Sequence, residues 1–168
     1  PDWRRKTKAA AREPIQLHPG TGMKLSAFAS APLQGTLGQT DIPDLPGDKS
    51  MSHRAALFAA LAQGVSRIEN FQISGVTRVM LEALTALGVA WELSGTSLTV
   101  VGTGIGGLKP PSTPINCGNS ATTMRLLAGA IAAAGIAAVL DGSASLRSRP
   151  MDRIIQPLRQ MGVPVQAN

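Results

Sequence analysis

Two stretches of the chain carry matching residues in the same order. Ser50, Arg54 and Gly64 recur as Ser120, Arg125 and Gly135, at offsets of 70, 71 and 71 residues, and Leu87-Gly88-Val89 recurs as Met161-Gly162-Val163 at an offset of 74. Self-similarity of this kind marks one supersecondary unit used twice. Apolar spacing supplies the helices of the unit. Met80, Ala83, Leu84 and Leu87 fall at i, i+3, i+4 and i+7, as do Met124, Leu127, Ala128 and Ile131, and Met151, Ile154, Ile155 and Leu158. Each set predicts one buried helical stripe. A fourth helix is predicted from Ser52 to Leu61, with Phe58 and Leu61 as anchors and Gly64 marking its end. Pro157 falls inside the last helix, where it removes a hydrogen bond or introduces a kink.

Between the helices lie β-prone stretches at Ser66–Phe71, Val89–Leu93, Ser97–Val101, Ala137–Leu140 and Val163–Gln166. The order is strand, helix, strand, helix, strand, and then a final strand that only the first copy has. The predicted fold is α/β, two βαβαββ-type units with the second incomplete. The expected divisions are a basic, Pro- and Gly-rich leader at 1–33, a crossover strand and linker at 34–46, the first unit at 47–104 and the second at 105–168. A unit without its last strand leaves an open sheet edge and a partly covered core, so the expectation is a chain cut from a longer one.

Composition narrows the function classes. With 43% apolar residues in 168, the chain can bury a core. The longest apolar run, Leu126–Leu140, is Ala- and Gly-rich and falls short of the roughly 20 strongly apolar residues of a membrane span. No basic-then-apolar leader with a cleavage site opens the chain, and the one cysteine, Cys117, suits a reducing, cytoplasmic setting as a small packing residue. The net charge of +6 is uneven, because Arg4, Arg5, Lys6, Lys8 and Arg12 crowd the first dozen residues. A nucleic-acid arm is one meaning of such a run, but with 3% aromatic residues and no Tyr a stacking surface is poorly supplied. A solvated leader is the preferred reading; Met23 stands where a natural start could fall, with 1–22 an upstream extension.

Chemistry concentrates where strands give way to helices. In Pro46-Gly47-Asp48-Lys49-Ser50-Met51-Ser52-His53-Arg54 a glycine turn brings Lys49 and Ser50 to a helix N-terminus, whose unpaired N–H groups favour an anion, and Arg54 follows one turn later. Lysine supplies a point charge and arginine a planar fork suited to carboxylate or phosphate. Equally, Ser50 or Ser52 caps the helix and the two cations are merely solvated. The second loop, Asn116-Cys117-Gly118-Asn119-Ser120-Ala121-Thr122-Thr123-Met124-Arg125, repeats the arrangement with small residues; alone it reads more readily as a packed, capped turn. A third, Asp141 to Pro150, adds Arg147 and Arg149 ahead of a helix. Three junctions that each deliver Lys or Arg point to an anionic ligand.

The same three segments carry a resemblance. Pro46–Ala55 and Gly118–Arg125 resemble two signatures of the 5-enolpyruvylshikimate-3-phosphate synthases, and Leu146-Arg147-Ser148-Arg149-Pro150-Met151 resembles a third; the likeness covers roughly Gln34 to Asn168. It implies the N-terminal portion of an architecture of two inside-out domains, which moves the enolpyruvyl group of phosphoenolpyruvate to the 5-hydroxyl of shikimate 3-phosphate without a metal or organic cofactor. Carried over by position, the resemblance gives Lys49 a catalytic role in contact with both substrates, Ser50 and Arg54 to shikimate 3-phosphate, and Ala121 and Arg149 to phosphoenolpyruvate, with Asn119 and Arg125 as second-rank candidates. The family's acid–base carboxylates lie in the other half, so the implied partner is a C-terminal half and the chain alone is expected to be inactive. Ser50 and the His53-Arg54 pair favour this family over the related enolpyruvyl transferase acting on UDP-N-acetylglucosamine, where Asn typically follows the lysine.

Three departures stand out. Gly38–Leu45 looks like altered sequence before the first loop. Ser74-Gly75-Val76-Thr77-Arg78 replaces an acidic pair common in the family. Ala121 stands where many members have Gly, and so resembles the glyphosate-insensitive class. The alternative outside the enzyme class is a phosphate- or RNA-binding module that uses the basic leader.

Overall fold

The structure is a computed structural model that describes residues 46–167. The leader at 1–33, and the crossover stretch 34–46 and the altered segment 38–45 apart from Pro46, lie outside the described residues. Helices α1 (Lys49–Leu61) and α2 (Gly75–Ala86) alternate with strands β1 (Gln63–Ile68), β2 (Ala90–Ser94) and β3 (Ser97–Thr103). After a short 3-10 turn at Ile105–Gly107 come β4 (Ile115–Asn116), α3 (Ala121–Ala134), β5 (Leu140–Asp141), α4 (Ala144–Arg147) and α5 (Asp152–Gln160). The first sheet has the order β1-β3-β2 with both pairings antiparallel; β4 and β5 pair in parallel on either side of α3.

Alternation explains which strands form. In β3, Leu98, Val100 and Gly102 are buried while Ser97, Thr99 and Thr103 are half-exposed and Val101 is exposed, as a strand with one covered face requires. The predicted strand Ser66–Phe71 lies instead at Gln63–Ile68, because Phe71 leaves the sheet and enters the core, its amide bonded to Thr96 O at 2.8 Å. Ala137–Leu140 contracts to a two-residue bridge at Leu140–Asp141. Val163–Gln166 forms no strand; Pro164 has no N–H to give to a ladder.

The helical stripe of α2 holds in full and the other two hold in part, since Met124, Ala128, Met151, Ile154 and Leu158 are half-buried. Met80, Ala83, Leu84 and Leu87 are all buried, with Leu127 and Ile131 from α3 and Ile155 from α5. Of the two anchors expected in the first helix, Phe58 is corrected, while Leu61 packs against the core from its edge. Phe58 is 65% exposed and Leu61 half-exposed, whereas His53, Ala56, Leu57 and Ala60 form the inward face. Small residues dominate there because α1 lies close against β3, where a side chain at Gly102 would collide with the carbonyls of Ala59 and Ala62. Gly64 does not end α1, whose cap is Ala62, whereas Gly135 caps α3 in the left-handed conformation at φ 66°. Pro157 is accommodated inside α5, which runs on to Gln160.

The ends of α2 and α5 are built alike. Val89 N bonds Leu84 O at 3.0 Å and Gly88 N bonds Thr85 O at 2.9 Å; Val163 N bonds Leu158 O at 2.9 Å and Gly162 N bonds Arg159 O at 3.0 Å. Gly88 and Gly162 have φ of 85° and 83°, the left-handed turn that closes a helix by bonds back to its last carbonyls. The offset of 74 residues seen in the sequence is therefore an offset between two equivalent helix ends.

Candidate anion-binding site

The starts of α1 and α3 face each other across the core. Asp48 caps α1, its Oδ1 accepting from Met51 N at 2.8 Å. Ser120 caps α3, its Oγ accepting from Thr123 N at 3.1 Å. Neither Ser50 nor Ser52 is a cap: Ser52 is buried and its Oγ accepts from Gln72 N at 2.9 Å. The counterpart of Ser120 is thus Asp48 rather than Ser50, and Ser50 occupies the position that Thr122 has in α3. Each cap satisfies one first-turn amide and leaves those of Lys49 and Ser50, and of Ala121 and Thr122, without intrahelical partners.

Glycines make both loops possible. A side chain at Gly47 would fall on the carbonyl of Asn70, so only glycine lets the first loop run against the 70–72 segment. Gly142 plays that part at the second and third loops, where an added Cβ would stand 2.5 Å from both Gly118 O and Leu146 Cδ2. The close approach is sealed by Ser143 N bonding Gly118 O at 2.7 Å.

Lys49 is exposed and Ser50 half-exposed at the open end of α1, and exposed Arg54 folds back so that Nη1 donates to Ser50 O at 3.2 Å. The third loop sends Arg149 to the second, where Nη2 donates to Asn119 Oδ1 at 3.0 Å; Ser143 Oγ reaches the same oxygen at 3.5 Å. Arg125 reaches the other way: Nη2 donates to Pro150 O at 3.1 Å and its buried Nε has no protein partner. Ala121 is 8% exposed, so any ligand meets only the edge of its methyl group. Among the described residues no hydrogen bond joins Lys49, Ser50 or Arg54 directly to Arg149.

The link between the two groups is His53, which the motif reading used to favour the family but gave no place in the site. Its ring is fully buried; Nδ1 lies 2.8 Å from Lys49 O and Nε2 3.5 Å from Ser120 Oγ. Helical spacing could have found it, since His53, Ala56, Leu57 and Ala60 fall at i, i+3, i+4 and i+7.

Two residues near the site are otherwise engaged. Arg147 holds Asp141 through Nε at 2.8 Å and Nη2 at 2.6 Å. These bonds, with that from Gly142 N, lower the Asp141 pKa to about 2. Arg147 is therefore unlike Arg149, although the sequence presents them as a pair. Cys117 is buried, and desolvation first and the Asp141 charge second push its thiol up to about 11, which removes it as a nucleophile. The departure at 74–78 is a helix start, where Ser74 Oγ and Thr77 Oγ1 cap each other's backbone amides. Among the described residues no group of three or more His, Cys, Asp or Glu could hold a metal, and no helix is long and apolar enough to cross a membrane.

A concavity of about 1180 Å³ lies elsewhere. Ile131, Ile136, Leu140, Ile155, Leu158 and Val163 line it between α3, β5 and α5. Its lining is mostly apolar, and of the charged residues that also border it, Arg147 is paired with Asp141 and Arg125 bonds Pro150 O.

Residues 29–168 match the EPSP synthase (3-phosphoshikimate 1-carboxyvinyltransferase) family. A 3-phosphoshikimate 1-carboxyvinyltransferase of Xanthomonas campestris pv. campestris (strain 8004) is 47% identical over 135 residues, 80% of this chain and 30% of the relative. One from Roseiflexus sp. (strain RS-1) is 51% identical over 122 residues, 72% of this chain and 28% of the relative. The structure of EPSP synthase from Acinetobacter baumannii aligns with a TM-score of 0.67 at 42% identity, over 70% of this chain and 26% of the other. The chain thus spans about 30% of the length of the curated relatives it matches, and with its capped, cation-bearing loops it belongs to the EPSP synthase family.

Proposed function

We propose that this chain is the N-terminal, anion-binding portion of a 3-phosphoshikimate 1-carboxyvinyltransferase, the enzyme named for its relatives. The observation that carries the reading is the pair of capped helix starts, each with two free first-turn amides and each beside exposed cations. In this reading Lys49, Ser50 and Arg54 hold shikimate 3-phosphate, and Arg149, oriented by Asn119, holds phosphoenolpyruvate beside Ala121. Arg125 supports the third loop through Pro150 O. Lys49 stands at the first loop with no side-chain partner among the described residues and serves both anions. The helix amides and cations stabilise charge as the enolpyruvyl group adds to the 5-hydroxyl and phosphate departs. No metal or organic cofactor enters.

The acid–base carboxylates of the reaction belong to a C-terminal half, and two inside-out βαβαββ domains are the architecture in which the halves meet. The open apolar groove between α3, β5 and α5 supports this, since it offers unpaired core surface for further chain. The reaction places the protein in the cytoplasm among soluble metabolites; neither a membrane nor nucleic acid is a partner. The test is turnover. The purified chain alone is expected to be inactive towards phosphoenolpyruvate and shikimate 3-phosphate, and mixing with the C-terminal half of a relative is expected to restore turnover that Arg54→Ala removes. Turnover by the chain alone, or a restored activity indifferent to Arg54→Ala, contradicts the reading.

A further inference from the structure

His53 is a fully buried imidazole that neither ligand group uses, and for a neutral ring its two contacts fit one tautomer. Lys49 O can only accept, so Nδ1 carries the hydrogen of the 2.8 Å bond, and a neutral ring then presents a lone pair at Nε2. Ser120 Oγ accepts from Thr123 N at 3.1 Å and from Thr123 Oγ1 at 2.8 Å. Its own hydrogen is left for Nε2 at 3.5 Å. That length is the outer limit of a hydrogen bond, so the contact works by direction more than by strength. Both ends are buried, with His53 at 0%, Thr123 at 0% and Ser120 at 5% exposure.

We propose that His53 is a positioning residue that ties the start of α1 to the start of α3, so that an anion taken up at Lys49 and Ser50 is felt at Ala121 and Thr122. This rests on the reading of both loops as ligand sites. The path is short: Lys49 O is a backbone atom of the first ligand loop, and Ser120 is the residue next to Ala121. A histidine that merely fills the core would affect its own surroundings and pass nothing between the loops.

The test uses the full chain labelled with 15N, in three forms. Ser120→Gly removes the hydroxyl while glycine still caps nearly as well as serine, and Ser120→Thr keeps both hydroxyl and cap. Imidazole nitrogen shifts are expected to show hydrogen on Nδ1 of His53 in the wild type; hydrogen on Nε2 overturns the proposal. Shikimate 3-phosphate is expected to move the amides of Lys49 and Ser50 together with those of Ala121 and Thr122 in the wild type and in Ser120→Thr. In Ser120→Gly the first pair still moves and the second does not. An unchanged response in Ser120→Gly overturns the coupling. If the ligand moves no amide in the wild type, the functional reading fails, and the tie is then judged without ligand: Ser120→Gly must displace the Lys49 and Ser50 amides and Ser120→Thr must restore them, and their indifference overturns it.

Discussion

Arg147 and Arg149 stand two residues apart and do different work. Arg147 is committed to Asp141, whose pKa of about 2 lies below the ordinary 3.8. The folded state thus favours the carboxylate, and the pair's contribution to stability is fully present above about pH 4 and is lost as pH falls through about 2. Arg147→Met is expected to return the Asp141 carboxyl titration towards its ordinary value, read from the side-chain carbon shift against pH; an unmoved midpoint would mean that Gly142 N alone holds it. Arg149 is exposed and turned by Asn119 towards the second loop. There Ala121 adds a methyl beside the pocket proposed for phosphoenolpyruvate. If glyphosate, the longer molecule, takes that pocket, the methyl is expected to crowd it more than the substrate, and overpacking of about 1–3 kcal/mol corresponds to roughly 5- to 150-fold in affinity. In a complete enzyme carrying this portion, Ala121→Gly is expected to tighten glyphosate inhibition with little change in KM for phosphoenolpyruvate. Because Ala121 is 8% exposed, equal inhibition constants would assign the methyl to helix formation alone.

At the scale of elements, the helix starts decide the site. Asp48 both caps α1 and places a negative charge beside the proposed phosphate, so Asp48→Ala removes a favourable cap and an unfavourable neighbour together. The variant is expected to lose about 1 kcal/mol of stability in denaturant unfolding while holding shikimate 3-phosphate no more weakly once folded. The helices were legible because Met, Leu and Ile at 3.6-residue spacing announce a buried face. Of α1, only the existence was clear, because its inner face is Ala and His rather than large apolar residues and its one aromatic, Phe58, points outward. The strands were harder. β1 is an edge strand with Val65 exposed, so no alternation marks its register, and two-residue pairings such as β4–β5 leave almost no pattern. The loops were read through their motifs, which brought out the cations Lys49, Arg54 and Arg149. Asp48 as the cap and His53 as the link were missed, because both are known by what they touch rather than by their type.

At the scale of the molecule, one continuous cluster from Ala56 through Leu127 to Leu146 holds the two loop-bearing helices against each other. The site therefore depends on packing between α1, α2 and α3 more than on any loop by itself. The central claim is that the start of α1 receives the phosphate of shikimate 3-phosphate. It is tested most directly by titrating the 15N-labelled chain with that ligand and, separately, with shikimate, which lacks the phosphate. The account predicts that shikimate 3-phosphate moves the Lys49 and Ser50 amides, that shikimate moves them far less, and that Arg54→Ala weakens the first response. Loop amides that stay in place at millimolar shikimate 3-phosphate, or that respond equally to shikimate, would contradict it.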